Sequence, residues 1–162
     1  GDELEVLPSK QRSKIKAIFG MNGLQNEAFS PQSVSLELTD ELDISRGDML
    51  VKTNNQPEEM RVLTAMICWM GTQAYVPGRK YLMRHTSREV RMLFKSILYV
   101  YDMQHLTRNK AVSTLEMNDI GRVEIQLAQS IFVDSYRKNK ATGSFIVMDA
   151  QTNLTVAVGM IS

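Results

Sequence analysis

Arg79, Lys80, Arg84, His85, Arg88 and Arg91 crowd basic side chains into one short stretch, and Arg137, Lys138 and Lys140 form a second cluster. Guanidinium and ammonium groups at such density recognise carboxylates or phosphates, arginine through its planar fork and lysine as a point charge. Arg79, Lys80, Arg84, Arg88, Arg137 and Lys138 are therefore the candidate contacts to a partner, weighed against a plain solvated strand face. Aromatic residues that could stack on bases are scarce among them, which weakens an RNA-binding version of the same idea. Other reactive types carry less. His85 and His105 stand twenty positions apart with no cysteine beside them, so zinc-ligand spacing is missing. Cys68, between Ile67 and Trp69, reads as a buried core thiol rather than a nucleophile. Asp40, Glu41 and Asp43 lack the alternating oxygen ligands of a calcium loop and read as a solvated acidic turn. The tripeptide Arg46-Gly47-Asp48 and the sequon Asn153-Leu154-Thr155 read as coincidences. No GxxxxGK[ST] string is present to wrap phosphate oxygens in backbone N–H groups. In Asn139-Lys140-Ala141-Thr142, threonine stands where a guanine-reading NKxD motif has its aspartate, so this is read as a turn. No catalytic, cofactor or metal residue is assigned to these 162 positions.

Composition narrows the class. Lys plus Arg number 19 against 18 Asp plus Glu, a formal charge of +1, so no global field draws the chain to nucleic acid or an anionic membrane. A hydrophobic content of 43% is ordinary for a chain that buries a core. One cysteine forms no internal disulfide and fits a reducing cytoplasm, and no apolar run approaches membrane-spanning length. The eleven methionines are scattered and read as adaptable core filler.

The elements that must position these residues are strands. Leu4 to Leu7, Ser13 to Phe19, Ser33 to Leu38 and Met49 to Lys52 form a first series, with period-two alternation clearest in Val34, Leu36 and Leu38. Asn and Pro among Thr53 to Glu59 mark a boundary, giving domains at 1–55 and 56–162. The second series comprises Val62 to Met70, Lys80 to His85, Glu89 to Tyr101, Arg122 to Ala128, Ser144 to Met148 and Thr155 to Ile161. In its third strand Val90, Met92, Phe94 and Leu98 share one parity, which predicts that all four face the core. No 3.6-residue period points to a helical bundle, and no strand–helix alternation points to a nucleotide-binding α/β domain. The expected class is all-β, with two small barrels, the second six-stranded.

One family matches these motifs. DSYRKNKATGSFIVMD from Asp134 to Asp149, ISRGDMLV from Ile44 to Val51, RHTSREVR from Arg84 to Arg91, and LEMNDIGRVEI from Leu115 to Ile125 are similar to the large, GTP-binding subunit of bacterial sulfate adenylyltransferase. That family is related to elongation factor Tu, and Gly1, Asp2, Leu7, Pro8 and Ser9 extend the resemblance to the start. Departures are modest: Ser135 stands where proline is usual and Lys140 where arginine is usual. The resemblance implies two translation-factor-type barrels, the first incomplete and the second a Greek-key-like barrel. It also implies that the large subunit couples GTP hydrolysis to the formation of adenosine 5′-phosphosulfate and pyrophosphate from ATP and sulfate. GTP and Mg²⁺ are expected in an N-terminal domain. The implied partners are the small catalytic subunit and the GTPase domain in cis; composition and charge argue against a membrane and disfavour nucleic acid. These barrels are expected to be inactive alone; the alternative is a translation-factor-like module that binds RNA or the ribosome.

Overall fold

The computed structural model describes residues 1–162 as twelve strands and no helix, so the all-β class holds. The strands fall into two compact units, Gly1–Gln56 and Pro57–Ser162.

The first unit is an open antiparallel sheet of β1 (Glu3–Leu7), β2 (Gln11–Gly20), β3 (Gly23–Gln25), β4 (Ser35–Leu38) and β5 (Met49–Lys52). Its order is β3-β2-β1-β5, with β4 also paired to β2. The three-residue β3 escapes sequence patterning because it is too short to show a period. Leu4, Val6 and Leu7 are buried. Glu5 is buried beside them, and its carboxylate accepts a 2.9 Å hydrogen bond from Arg12 Nε. Ser13 Oγ donates to Asp40 at 2.8 Å and ties the end of β4 to β2.

The second unit contains β6 (Glu58–Trp69), β7 (Tyr81–His85), β8 (Arg88–Asp102), β9 (Thr107–Asn109), β10 (Ile120–Val133), β11 (Ser144–Asp149) and β12 (Thr155–Ile161). Pairing runs β6-β12-β11-β7-β8-β10 and returns to β6, so six antiparallel strands close a barrel, with β9 a short hairpin partner at the end of β8. Closure removes every free edge from the six-strand circuit. Strict alternation sends Leu63, Ala65, Ile67 and Trp69 of β6 inward, as it does Val123, Ile125 and Leu127 of β10. At one end Trp69, Tyr75, Tyr81 and Phe94 pack with ring centroids 5.1 to 6.3 Å apart, mostly edge to face. This geometry suits the ring quadrupoles. The indole N–H donates to the Gln73 carbonyl at 2.9 Å, so the buried tryptophan leaves no orphan donor. Gly159 sits opposite Phe145, where any Cβ would collide with the ring.

Two expectations are corrected. Leu98 is exposed and Ile97 packs against the core. Register shifts opposite Arg122/Val123 and Glu124/Ile125 insert an extra residue twice in β8, so Ile125 faces Phe94, Val123 faces Ile97 and Gly121 faces Val100. Each such bulge flips the parity of the residues beyond it, which a simple alternation count misses. The strand β6 begins at Glu58, inside the stretch read as a boundary loop. No helix is long and apolar enough to cross a membrane.

Candidate functional site

Two of the six basic candidates stand apart from Arg84. Arg79 and Lys80 precede β7 while Arg84 stands near its far end, a separation of five residues of strand or about 17 Å. Arg79 is largely withdrawn from solvent: its Nε lies 2.6 Å from Asp149 Oδ2, and its side chain is 23% exposed against 6% for the aspartate. The N–H is not well aimed at that oxygen, so the contact is an ion pair more than a hydrogen bond. Burial pushes the Asp149 carboxyl up, but N–H donors of Gln151 and Thr152 together with Arg79 outweigh it and hold the carboxyl below its ordinary range. Arg84 pairs with Glu89 at 3.0 Å on the surface, and Arg88 reaches Gln129 at 3.5 Å. Lys138 pairs with Asp134 at 2.6 Å, whereas Lys80 and Arg137 are exposed with no carboxylate partner.

His85, set among these bases in the sequence, points inward. It is 2% exposed, and Nε2 lies 2.7 Å from the Thr142 carbonyl. A carbonyl can only accept, so Nε2 carries the proton. Thr142 Oγ1 in turn donates to Asp134 at 2.7 Å. Burial pushes the His85 pKa below its ordinary value, opposed by the Thr142 carbonyl and the Asp134 charge. This chain of contacts fastens the loop between β10 and β11 to the barrel. Gly143 completes it, since a Cβ there would collide with the backbone of Tyr136.

The guanine-like string lies in that loop. Asn139 Oδ1 accepts from the Ala141 N–H at 3.0 Å, and both polar ends of Thr142 are engaged internally. These residues are engaged with one another and with the barrel as a turn. Asp40 is likewise occupied, accepting from Ser13 and Thr39, and those hydrogen bonds hold its carboxyl below the usual range. Asp48 caps its own turn, accepting from the Ser45 N–H at 2.9 Å, and Asn153 lies at positive φ in the β11–β12 turn. No group of three His, Cys, Asp or Glu side chains is disposed to hold a metal ion. The exposed His105 bonds Asp102 at 2.8 Å.

The feature that residue-by-residue reading missed is a groove of about 780 Å³ on the outside of the barrel. Its floor is Met66, Cys68, Ile146, Val158 and Met160, and Arg84, Tyr136 and Lys140 stand at its lips. Cys68 is thus half-buried and outward-facing, not a core thiol. Methionines are not chiefly core filler either: Met21, Met70, Met103, Met117 and Met160 are exposed, and only Met83, Met92 and Met148 are buried. The signal was present in the sequence. The outward positions of β6 and β12, which alternation should make polar, are Met66, Cys68, Val158 and Met160. A second, smaller cavity of about 340 Å³ lies beside Trp69, Arg79 and Asp149.

Comparison with known proteins gives a consistent picture. A family described as GTP-eEF1A C-terminal domain-like matches residues 62–162. The bifunctional enzyme CysN/CysC of Mycobacterium tuberculosis strain CDC 1551 / Oshkosh is 44% identical over 162 residues, covering 99% of this chain and 26% of the relative. The Rhodopirellula baltica protein of that name is 45% identical over 161 residues, and sulfate adenylyltransferase subunit 1 of Cellvibrio japonicus is 42% identical over 161, covering 34% of the relative. The chain thus spans about a quarter to a third of the length of these relatives. The solved structure of sup35 complexed with GDP superposes with a TM-score of 0.85 at 18% identity, over 99% of this chain and 40% of that one. That likeness is one of fold.

Proposed function

Because this chain belongs to the GTP-eEF1A C-terminal domain-like family, and its homologues along the whole length are sulfate adenylyltransferase subunit 1 and CysN/CysC proteins, we propose that it is the barrel region of a sulfate adenylyltransferase large subunit. The observation that carries this reading is identity of 38 to 45% sustained over 99% of the chain, through both compact units. In the whole enzyme, GTP hydrolysis with Mg²⁺ in a separate GTPase domain drives the joining of ATP and sulfate into adenosine 5′-phosphosulfate and pyrophosphate on a small catalytic subunit. The two units serve as the part that holds these two pieces, in the cytoplasm. A closed barrel suits that role: its backbone hydrogen bonds are internally satisfied, so partners are held by side chains presented at fixed spacing.

The test is direct. The purified 162-residue chain is expected to show no GTP hydrolysis above buffer, and to form a complex with the small catalytic subunit. GTP turnover by this chain would overturn the division of labour. A translation-factor-like RNA-binding module has only the shared fold behind it. Filter binding with tRNA distinguishes the two, since phosphate-driven affinity would be measurable at moderate salt and fall steeply as salt rises.

A further inference from the structure

Two rows of outward side chains cross the barrel wall side by side. In one, Ile146 of β11 pairs with Val158 of β12, Val158 with Cys68 of β6, and Cys68 with Ile120 of β10. In the other, Met160 pairs with Met66, Met66 with Arg122, and Arg122 with Tyr99 of β8. The pairing register fixes these neighbours. The second row begins with Ser144 of β11, which pairs with Met160, and apart from Ser144 and Arg122 every member of the two rows is apolar or aromatic.

Basic side chains stand at both ends of the rows. Arg84 on β7 pairs with Ile146 at one end, and Lys140 overhangs the same end from the loop. At the other end is Arg122, and beyond it Arg108, whose guanidinium carbon lies 4.9 Å from the Tyr99 ring centre and 5.8 Å from that of Tyr101. Of these four bases only Arg84 has a carboxylate within salt-bridge distance, the exposed Glu89. No aspartate or glutamate lines the groove. From β7 to β10 is four inter-strand spacings, about 19 Å. An exposed apolar floor of this kind, rimmed by charge, marks a docking surface. A closed barrel offers no strand edge here, so recognition must be through side chains.

We propose that the outer face of β11, β12, β6 and β10 docks a segment of the small catalytic subunit that carries apolar side chains flanked at both ends by carboxylates. The apolar side chains fill the Met66, Val158 and Met160 floor, and the carboxylates meet Arg84 and Lys140 at one end and Arg122 at the other. This rests on the reading of the chain as part of a sulfate adenylyltransferase, but it names a face that the reading leaves open. It also moves the contact away from Lys80, at the opposite end of β7 from Arg84.

The experiment is titration calorimetry of the 162-residue chain with the purified small subunit, repeated with four variants. Met160→Glu and Arg122→Glu are each expected to weaken binding at least tenfold; Lys80→Glu and Arg91→Glu, outside the groove, should change it less than twofold. Raising salt should weaken the parent complex and affect Arg122→Glu less. Trp69 emission and the melting curve establish that each variant is folded, and Arg122→Glu carries the test if Met160→Glu is not. Binding by the parent chain that neither groove variant disturbs overturns this assignment and leaves the enzyme reading standing. Absence of any binding by the parent chain overturns both. Self-association of the chain that Met160→Glu abolishes would show the occupant to be a second copy and also overturns the proposal.

Discussion

Arg79 shows how a basic residue in a basic stretch can be structural. Its guanidinium faces the nearly buried Asp149, whose carboxylate also accepts N–H bonds at 2.8 and 3.1 Å from Gln151 and Thr152. Removing the cation strands a desolvated carboxylate, so Arg79→Met should cost about 2 kcal/mol of unfolding free energy in urea titration. Lys80→Ala, on an exposed side chain next door, should fall within about 0.5 kcal/mol. His85 gives a pH-dependent signature. Its folded pKa lies below its unfolded value near 6.5, so the unfolded chain binds the extra proton first. The stability it contributes is fully present above about pH 6.5 and declines as pH falls toward 5, with a slope of at most about 1.4 kcal/mol per pH unit. His85→Gln, which keeps a donor for the Thr142 carbonyl, should flatten that slope when denaturation midpoints are compared at pH 7, 6 and 5. An unchanged slope would contradict the assignment of the neutral, inward-facing ring.

At the scale of the element, β8 is the informative case. Its existence was legible because Val90, Met92 and Phe94 alternate with Glu89, Arg91 and Lys95. Its second half was not, because two bulges reset the parity, and bulges are decided by the curvature that closure demands of a small barrel rather than by local sequence. The consequence is measurable. Ile97→Ala should destabilise by about 1 to 2 kcal/mol, since the side chain packs on the core, whereas Leu98→Ala should be close to neutral. The reverse order would restore the unbroken strand. Similarly, β6 and β12 were legible as strands, but the meaning of their near-continuous apolar runs was not. With a single sequence, Met66, Cys68, Val158 and Met160 look like added core; only the pairing register shows that they lie on the outer wall.

At the scale of the molecule, fold and family were legible and the proposed docking face was not, for one physical reason. Alternation and turn residues act locally, so strand positions follow from the sequence within a few residues, and within the motif from Asp134 to Asp149 Thr142 is tied to both His85 and Asp134 while Gly143 lies against the Tyr136 backbone. A surface site is instead assembled from residues distant in the chain: Arg84, Arg122 and Lys140 share one face through strand order alone. Contiguity in sequence does not by itself bring basic residues onto one face, because successive strand residues point to opposite faces and the two ends of β7 are far apart. The central proposal is that these two units are a partner-holding region of a sulfate adenylyltransferase. Calorimetric titration of the unaltered chain with the small catalytic subunit tests it most directly. Saturable one-to-one binding with a dissociation constant in the micromolar range or tighter is the predicted result; no heat of binding at concentrations of about 100 µM, with both proteins folded, would contradict it.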